Sequence, residues 1–167
     1  SDMEFAGLST VGTLAVMSPG AITDGTDGDL AVTGNATFTA GGDITLGNDA
    51  GNDTNFGTLT LTTPGTATVS EDSDMEFSGL SAVLALAVTS TGTITDGADG
   101  DLAVTNNASF TAGGDITLGD DAGNDSNFGS LTLNTPGTAT VSEDSNMVFS
   151  GVSIVGVLDV ASPGNIT

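Results

Sequence analysis

The stretch DLAVTGNATFTAGGDITLGNDAGNDTNFG, residues 29–57, returns as DLAVTNNASFTAGGDITLGDDAGNDSNFG at residues 101–129. Within it apolar residues alternate with polar ones, as in Ala36 and Phe38 against Thr37 and Thr39. Alternation with period two is typical of half-buried β-strands, and the Gly, Asn and Asp clusters between the alternating segments are typical of turns. No segment places apolar residues at helical spacing, so we predict an all-β fold.

The copying extends over the whole chain. The segment SDMEFAGLST at Ser1 reappears as SDMEFSGLSA at Ser73 and as SNMVFSGVSI at Ser145, and residues 1–72 and 73–144 differ at 14 positions. Self-similarity at a fixed period indicates stacked structural units that share one core. We therefore predict one continuous solenoid with a first repeat at 1–72, a second at 73–144 and a partial third at 145–167.

A finer recurrence appears within each repeat, because a Leu-x-Val or Leu-x-Leu segment returns at steps of 16, 29 and 27 residues. Its first leucines are Leu14, Leu30, Leu59, Leu86, Leu102, Leu131 and Leu158. If each leucine begins one coil, a repeat holds three coils and the chain about seven. This pattern predicts a parallel β-helix, or β-solenoid, which general chain chirality makes right-handed. An antiparallel sandwich fits the same strands but does not explain the ordered copying.

Composition excludes several classes of partner. The 167 residues include 22 acidic side chains and no Lys, Arg, His or Cys, so the formal charge is −22. Nucleic acids and anionic membranes are bound through Lys and Arg, so we expect neither partner. No apolar run reaches membrane-spanning length, and we expect no membrane insertion and an export signal outside this sequence.

Several phrases carry a resemblance to a known family. GDITLGNDAGNDTNFGTLTL, with TATVSED and GAITDG around it, resembles the repeat region of filamentous-haemagglutinin-like bacterial surface proteins. The resemblance covers nearly the whole chain. It implies a secreted right-handed parallel β-helix at the cell surface, used as an adhesive or structural fibre and commonly part of a very large precursor.

Acidic loops are the main chemical feature of the sequence. In the predicted register, DGTDGD at residues 24–29 and GNDAGND at residues 47–53 lie at the same corner of adjacent coils. Clustered carboxylate, amide and backbone oxygens suit Ca²⁺, although Asp, Asn and Gly are also ordinary turn formers. The candidate ligands are Asp24, Asp27, Asp49 and Asp53, with their copies Asp96, Asp99, Asp121 and Asp125.

A second acidic segment, SEDSD from Ser70 to Asp74, raises the question of paired carboxylates for glycoside hydrolysis. A solvated corner is the simpler interpretation, because a catalytic pair is normally built once, whereas this segment is copied with the scaffold. With no His, Lys or Cys, no conventional nucleophile and base combination can form. We therefore expect a protein that is not an enzyme and requires no cofactor, with Ca²⁺ as the candidate ion.

Two functions fit these observations. The first is a structural protein of an extracellular fibre or filament, whose partner is itself, either by head-to-tail stacking or as part of a longer parent chain. The alternative is an adhesin module that binds carbohydrate or another cell surface through faces rich in Thr and Asp.

Overall fold

A computed structural model describes residues 1–49, 54–121, 123 and 126–167, and within them the chain is all β, with no helix. Its strands join into one 14-stranded sheet in which every pairing between strands is parallel. The strands are β1 (Met3–Glu4), β2 (Ser9–Val11), β3 (Leu14–Ser18), β4 (Ile22–Thr23), β5 (Leu30–Ala40), β6 (Ile44–Leu46), β7 (Thr54–Glu71), β8 (Met75–Glu76), β9 (Gly79–Ser90), β10 (Ile94–Thr95), β11 (Gly100–Ala112), β12 (Ile116–Leu118), β13 (Asn127–Ser142) and β14 (Ile154–Ala161).

The pairing register defines the coils. Met3 pairs with Ile22, Ile22 with Ile44, and Ile44 with Ala67, so successive coils take 19, 22 and 23 residues. We call this stack of paired residues the Met3 column. Each coil also carries two further paired segments, such as Leu30–Val32 and the segment that begins at Ala36, which form the other two faces. The predicted β-solenoid of about seven turns is thus confirmed.

The core follows from the alternation that the sequence shows. Most inward positions are apolar and enclosed, with Phe38 and Phe110 among the largest buried side chains. Aromatic rings also meet between neighbouring coils: Phe38 and Phe56 lie edge to face with 5.9 Å between ring centroids, as do Phe110 and Phe128. Each coil therefore covers the apolar surface of the next.

The predicted assignment of three coils to each repeat is wrong. Three coils lead from Met3 to Ala67, a span of 64 residues, whereas the sequence repeats after 72. The recurring leucines also do not share one column, since Leu14 pairs with Ala36 and Leu30 pairs with Thr54. An inward position accepts any apolar residue that fits, so the Leu-x-Leu pattern does not mark the start of a coil.

The eight surplus residues carry the chain on to the next face, so each repeat is rotated relative to the one before it. Ile22 lies in the Met3 column, and in the second repeat this column continues through Leu86 and Ala108. Ile94, the copy of Ile22, lies between these two residues in sequence and is therefore outside the column. Ile94 instead stacks with Met75 and Ile116 on a different face. Any feature present once per repeat therefore points in a new direction in each copy.

Candidate functional site

The acidic loops occupy the corners that the sequence predicts. One loop joins β4 to β5 and the other joins β6 to β7. Because Ile22 pairs with Ile44 and Leu30 pairs with Thr54, the two loops lie at the same corner of adjacent coils. In the second repeat the corresponding loops join β10 to β11 and β12 to β13, one face further round the solenoid.

Two of the predicted calcium ligands point inward and fasten the loop of the following coil. Asp24 and Asp96 are fully buried. The Asp24 carboxylate accepts a hydrogen bond from the backbone N–H of Gly47, and Asp96 accepts the equivalent bond from Gly119 at 2.6 Å. Ser126 donates a second hydrogen bond to Asp96 at 3.0 Å. Each aspartate therefore fixes the glycine that directly follows the strand of the next coil, β6 or β12.

Burial controls the ionisation of Asp96. Desolvation raises the pKa of its carboxyl to about 6, while the hydrogen bonds from Gly119 and Ser126 oppose the rise by stabilising the charged form. The nearby Asp120 carboxylate adds to the rise.

The other predicted calcium ligands that the structure describes are not buried as Asp24 and Asp96 are. Asp27, Asp99 and Asp121 are exposed and Asp49 is half-buried. Asp53 and Asp125 lie outside the described residues. Among the residues that the structure describes, no three acidic side chains are grouped closely enough to hold a metal ion. Calcium binding at these corners stays a prediction.

Glu71 and Glu143 were missed by the sequence interpretation, which treated the SEDSD segment as a solvated corner. Asp72, Ser73 and Asp74 are indeed exposed, but Glu71 and its copy Glu143 are each only 2% exposed. The alternation contained the signal: Ala67 and Val69 point inward, and two residues further on the same parity places Glu71 inward.

A second set of acidic and amide side chains caps the backbone of the following coil. At five turns along the solenoid a side-chain oxygen accepts a hydrogen bond of 2.7–2.9 Å from a backbone N–H one coil later. The pairs are Asp2 with Ala21, Asp43 with Thr66, Asp74 with Thr93, Asp115 with Thr138, and Asn146 with Asn165. The hydrogen bonds from Thr93 lower the pKa of Asp74. These residues act as links between coils.

An open groove of about 410 Å³ runs along the surface where β7, β9 and β11 lie side by side. Its lining includes Thr63, Pro64, Leu84 and Thr105. The mixture of hydroxyl and aliphatic groups would suit a sugar or an apolar side chain, and none of the described residues that line the groove is charged. Within the described part of the chain, no helix is long and apolar enough to cross a membrane.

Comparison with known proteins identifies a family of repeats. A family model described as "Repeats of unknown function (DUF5649)" matches residues 1–63 and again residues 64–134. Searches of curated proteins and of solved structures each gave no match.

Proposed function

Because this chain belongs to the family of repeats of unknown function (DUF5649), we propose that it is a non-catalytic structural segment of an extracellular fibre. In this proposal its role is to extend a rigid rod by a fixed length and rotation per repeat. The family match covers most of the chain and describes it as repeats of unknown function, so it supports the repetitive architecture and assigns no role.

One observation carries the proposal: strand pairing crosses the boundary between repeats in the same parallel pattern as within a repeat. β7 of the first repeat pairs with β9 of the second from Thr62 to Glu71, and β13 of the second pairs with β14 of the third. Separate binding domains would each close their own core and be joined by linkers. Here the repeats share one core, as a rod requires.

The last coil also favours growth by stacking. Ile154, Val157 and Leu158 have exposed side chains, and among the strands that the structure describes β14 pairs only with β13. A further coil of the same repeat would cover these side chains and bond to the free strand edge. That coil would come from a longer parent chain or, by head-to-tail stacking, from a second copy.

The cell-surface location rests on sequence resemblance. The GDITL-containing phrases are similar to those of filamentous-haemagglutinin-like surface fibres, and the strongly acidic composition keeps such a rod soluble. The family match does not extend to that group, so the location is part of the proposal.

Deletion of one whole repeat tests the rod. Removing residues 73–144 joins Asp72 to Ser145, which reproduces the natural junction between repeats. Since a repeat spans about 3.3 coils at roughly 4.8 Å each, we expect a folded rod shorter by about 16 Å in small-angle X-ray scattering. A matched deletion of residues 73–136 removes three whole coils but joins Asp72 to Gly137, which is not a natural junction between repeats. We expect this variant to melt at a lower temperature.

The rod proposal would be wrong if the whole-repeat deletion unfolded while the 64-residue deletion stayed folded. Stacking is tested separately by negative-stain electron microscopy of the purified chain. Filaments are expected at high concentration, whereas short dispersed particles at every concentration would eliminate self-assembly and leave the longer parent chain as the route to a fibre.

The groove favours an adhesin module as the second candidate. Its lining of Thr63, Pro64, Leu84 and Thr105 would accept a neutral sugar face. Binding to a neutral-glycan array should then be reduced by Leu84→Glu and retained by Leu80→Glu, since Leu80 is exposed and does not line the groove. Signals equal to those of an uncoated surface would argue against an adhesin.

A further inference from the structure

Glu71 and Glu143 occupy the same position of successive repeats and make the same contacts. Glu71 Oε1 accepts a hydrogen bond of 3.0 Å from the backbone N–H of Phe56, on the preceding coil, and one of 3.2 Å from Ser73 Oγ. Glu143 Oε1 accepts the equivalent bonds from Phe128 at 2.9 Å and from Ser145 at 3.3 Å. A single carboxyl oxygen thus fastens two coils at each place.

The second carboxyl oxygen of each residue has no such partner. Within the described residues, Oε2 of Glu71 and Oε2 of Glu143 are buried and make no hydrogen bond. A buried carboxylate needs a countercharge or several donors. The sequence contains no Lys, Arg or His, so this chain supplies no side-chain cation.

The charges near these oxygens are all negative. Asp74 and Asp72 face Glu71, and Asp144 faces Glu143. Burial, reinforced by these neighbours, raises the pKa of Glu71 to about 7, and burial likewise raises the pKa of Glu143. Neutralisation must therefore come from outside the chain, as a proton or as a metal cation.

A proton fits the geometry better than a metal ion. It needs one oxygen, whereas Ca²⁺ takes six to eight oxygen ligands. No group of three acidic side chains suited to a metal ion is present in the described part of the chain. When Oε2 carries a proton, Oε1 still accepts both of its hydrogen bonds, so the neutral acid keeps the contacts and removes the buried charge.

We propose that Glu71 and Glu143 are proton-operated clasps between coils, which hold the solenoid tightly when protonated and weaken it when they ionise. Their pKa in the folded chain lies above the ordinary value of 4.5. The stabilisation is therefore fully present below about pH 4.5 and is lost as pH rises through the folded value, which for Glu71 is about 7. A rod with such clasps is more stable in mildly acidic surroundings than in alkaline ones.

The first test compares melting temperatures between pH 5.5 and 8.5 at constant ionic strength. The wild-type chain, a Glu71→Gln/Glu143→Gln variant and a Glu4→Gln/Glu76→Gln variant are measured in parallel. Glu4 and Glu76 are exposed, so the last variant removes the same charge without touching a clasp. We expect the wild type and the exposed pair to lose stability as pH rises. The buried pair should lose less than half as much, because Gln keeps the acceptor oxygen and does not ionise.

A second measurement uses the wild-type chain alone and so does not depend on whether the variant folds. Carbon-13 NMR of the Glu side-chain carboxyl carbons should show two groups, Glu71 and Glu143, whose pKa lies above the ordinary value of 4.5, with Glu71 titrating near pH 7. Ordinary titration of every Glu below pH 5 would overturn the proposal, as would equal pH slopes in the two variants. A further outcome would be that CaCl₂ restores stability at pH 8.5 and EDTA removes it, in the wild type but not in the Glu71→Gln/Glu143→Gln variant. The neutralising group would then be a cation, and the proposal would be overturned.

Discussion

The carboxylate of Asp96 accepts a hydrogen bond from the backbone N–H of Gly119, 23 residues away in sequence and one coil along the solenoid. The same relationship joins Asp24 to Gly47 in the first repeat. Both aspartates are buried, and both glycines begin the longest acidic loop of their repeat. Residues that look like surface turn formers in the sequence are thus the internal fastening points of the loops.

Loss of this fastening should destabilise the rod. Asp96→Ala leaves the Gly119 N–H and the Ser126 hydroxyl without their acceptor, which should reduce the free energy of unfolding by about 1–3 kcal/mol. Urea denaturation at pH 5, where the Asp96 carboxyl is largely neutral, measures the loss without a large contribution from buried charge. Asp99→Ala removes an exposed aspartate three residues away and should change little. Equal midpoints for the two variants would contradict the anchoring role.

Gly119 is also required for its backbone conformation. Its φ is +67°, and a Cβ there would overlap the carbonyl oxygen of Ser142 on the next coil. Gly119→Ala should therefore destabilise the chain by more than about 1 kcal/mol. Gly12→Ala is the control, because Gly12 has no positive φ and open space around its Cα. Thermal unfolding followed by circular dichroism would distinguish them, and a Gly119→Ala variant as stable as Gly12→Ala would disprove the requirement.

The hydrogen bonds that cap the backbone of the following coil predict which substitutions are tolerated at Asp74. Asn146 replaces the aspartate found at Asp2 and Asp74 and makes the same backbone hydrogen bond. Asp74→Asn should therefore be tolerated, whereas Asp74→Ala should cost less than about 1 kcal/mol, since the group is exposed.

The pH dependence of this link has the opposite sign to that of the buried glutamates. The pKa of Asp74 is lowered by its hydrogen bonds to Thr93, so its contribution is present above the ordinary value of 3.8 and is lost as pH falls through the lowered value. The wild type and Asp74→Ala should converge in stability at strongly acidic pH, and a constant difference down to that pH would argue against the link.

Core packing should dominate the stability of each coil. Phe110 is fully enclosed and meets Phe128 edge to face, so Phe110→Ala should cost about 3–5 kcal/mol. Leu80 is 55% exposed, and Leu80→Ala should stay within about 0.5 kcal/mol of the wild type. Denaturant titrations with both variants measure the difference, and similar losses would mean that the predicted core is misplaced.

The calcium hypothesis makes an independent prediction. If the acidic corners bind Ca²⁺, millimolar CaCl₂ should raise the melting temperature above that in NaCl of equal ionic strength, and EDTA should reverse the rise. Asp27→Asn/Asp99→Asn should reduce the effect, whereas Asp2→Asn, outside these corners, should not. No shift with CaCl₂ and no heat in calorimetry would remove Ca²⁺ from consideration.

Much of the architecture is readable from the sequence because it depends on local periodicity. Alternation such as that around Phe38 predicts the strands, and the 72-residue copying predicts that they stack as a parallel solenoid. The two acidic corners were also placed correctly on adjacent coils. Each of these follows from residue order alone, since a strand's inward face and a turn's composition are local properties.

The way in which residues of neighbouring coils pair could not be predicted from the sequence. Leu14 and Leu30 look equivalent in sequence but lie on different faces, because inward Leu, Ala, Val and Phe substitute for one another in the stack. Glu71 looks like part of a solvated corner, although it lies two residues after the buried Val69 and so points inward as well.

The sequence by itself therefore determined that this protein is an all-β repeat with a polar exterior, since period-two alternation and the close copying of 72 residues leave little else. Only the tertiary structure decided that a repeat ends one face beyond three coils, and that Asp24, Glu71 and their copies face the interior. The reason is that coil length and carboxyl burial depend on pairing between residues 15 to 24 positions apart, a register that no local pattern encodes.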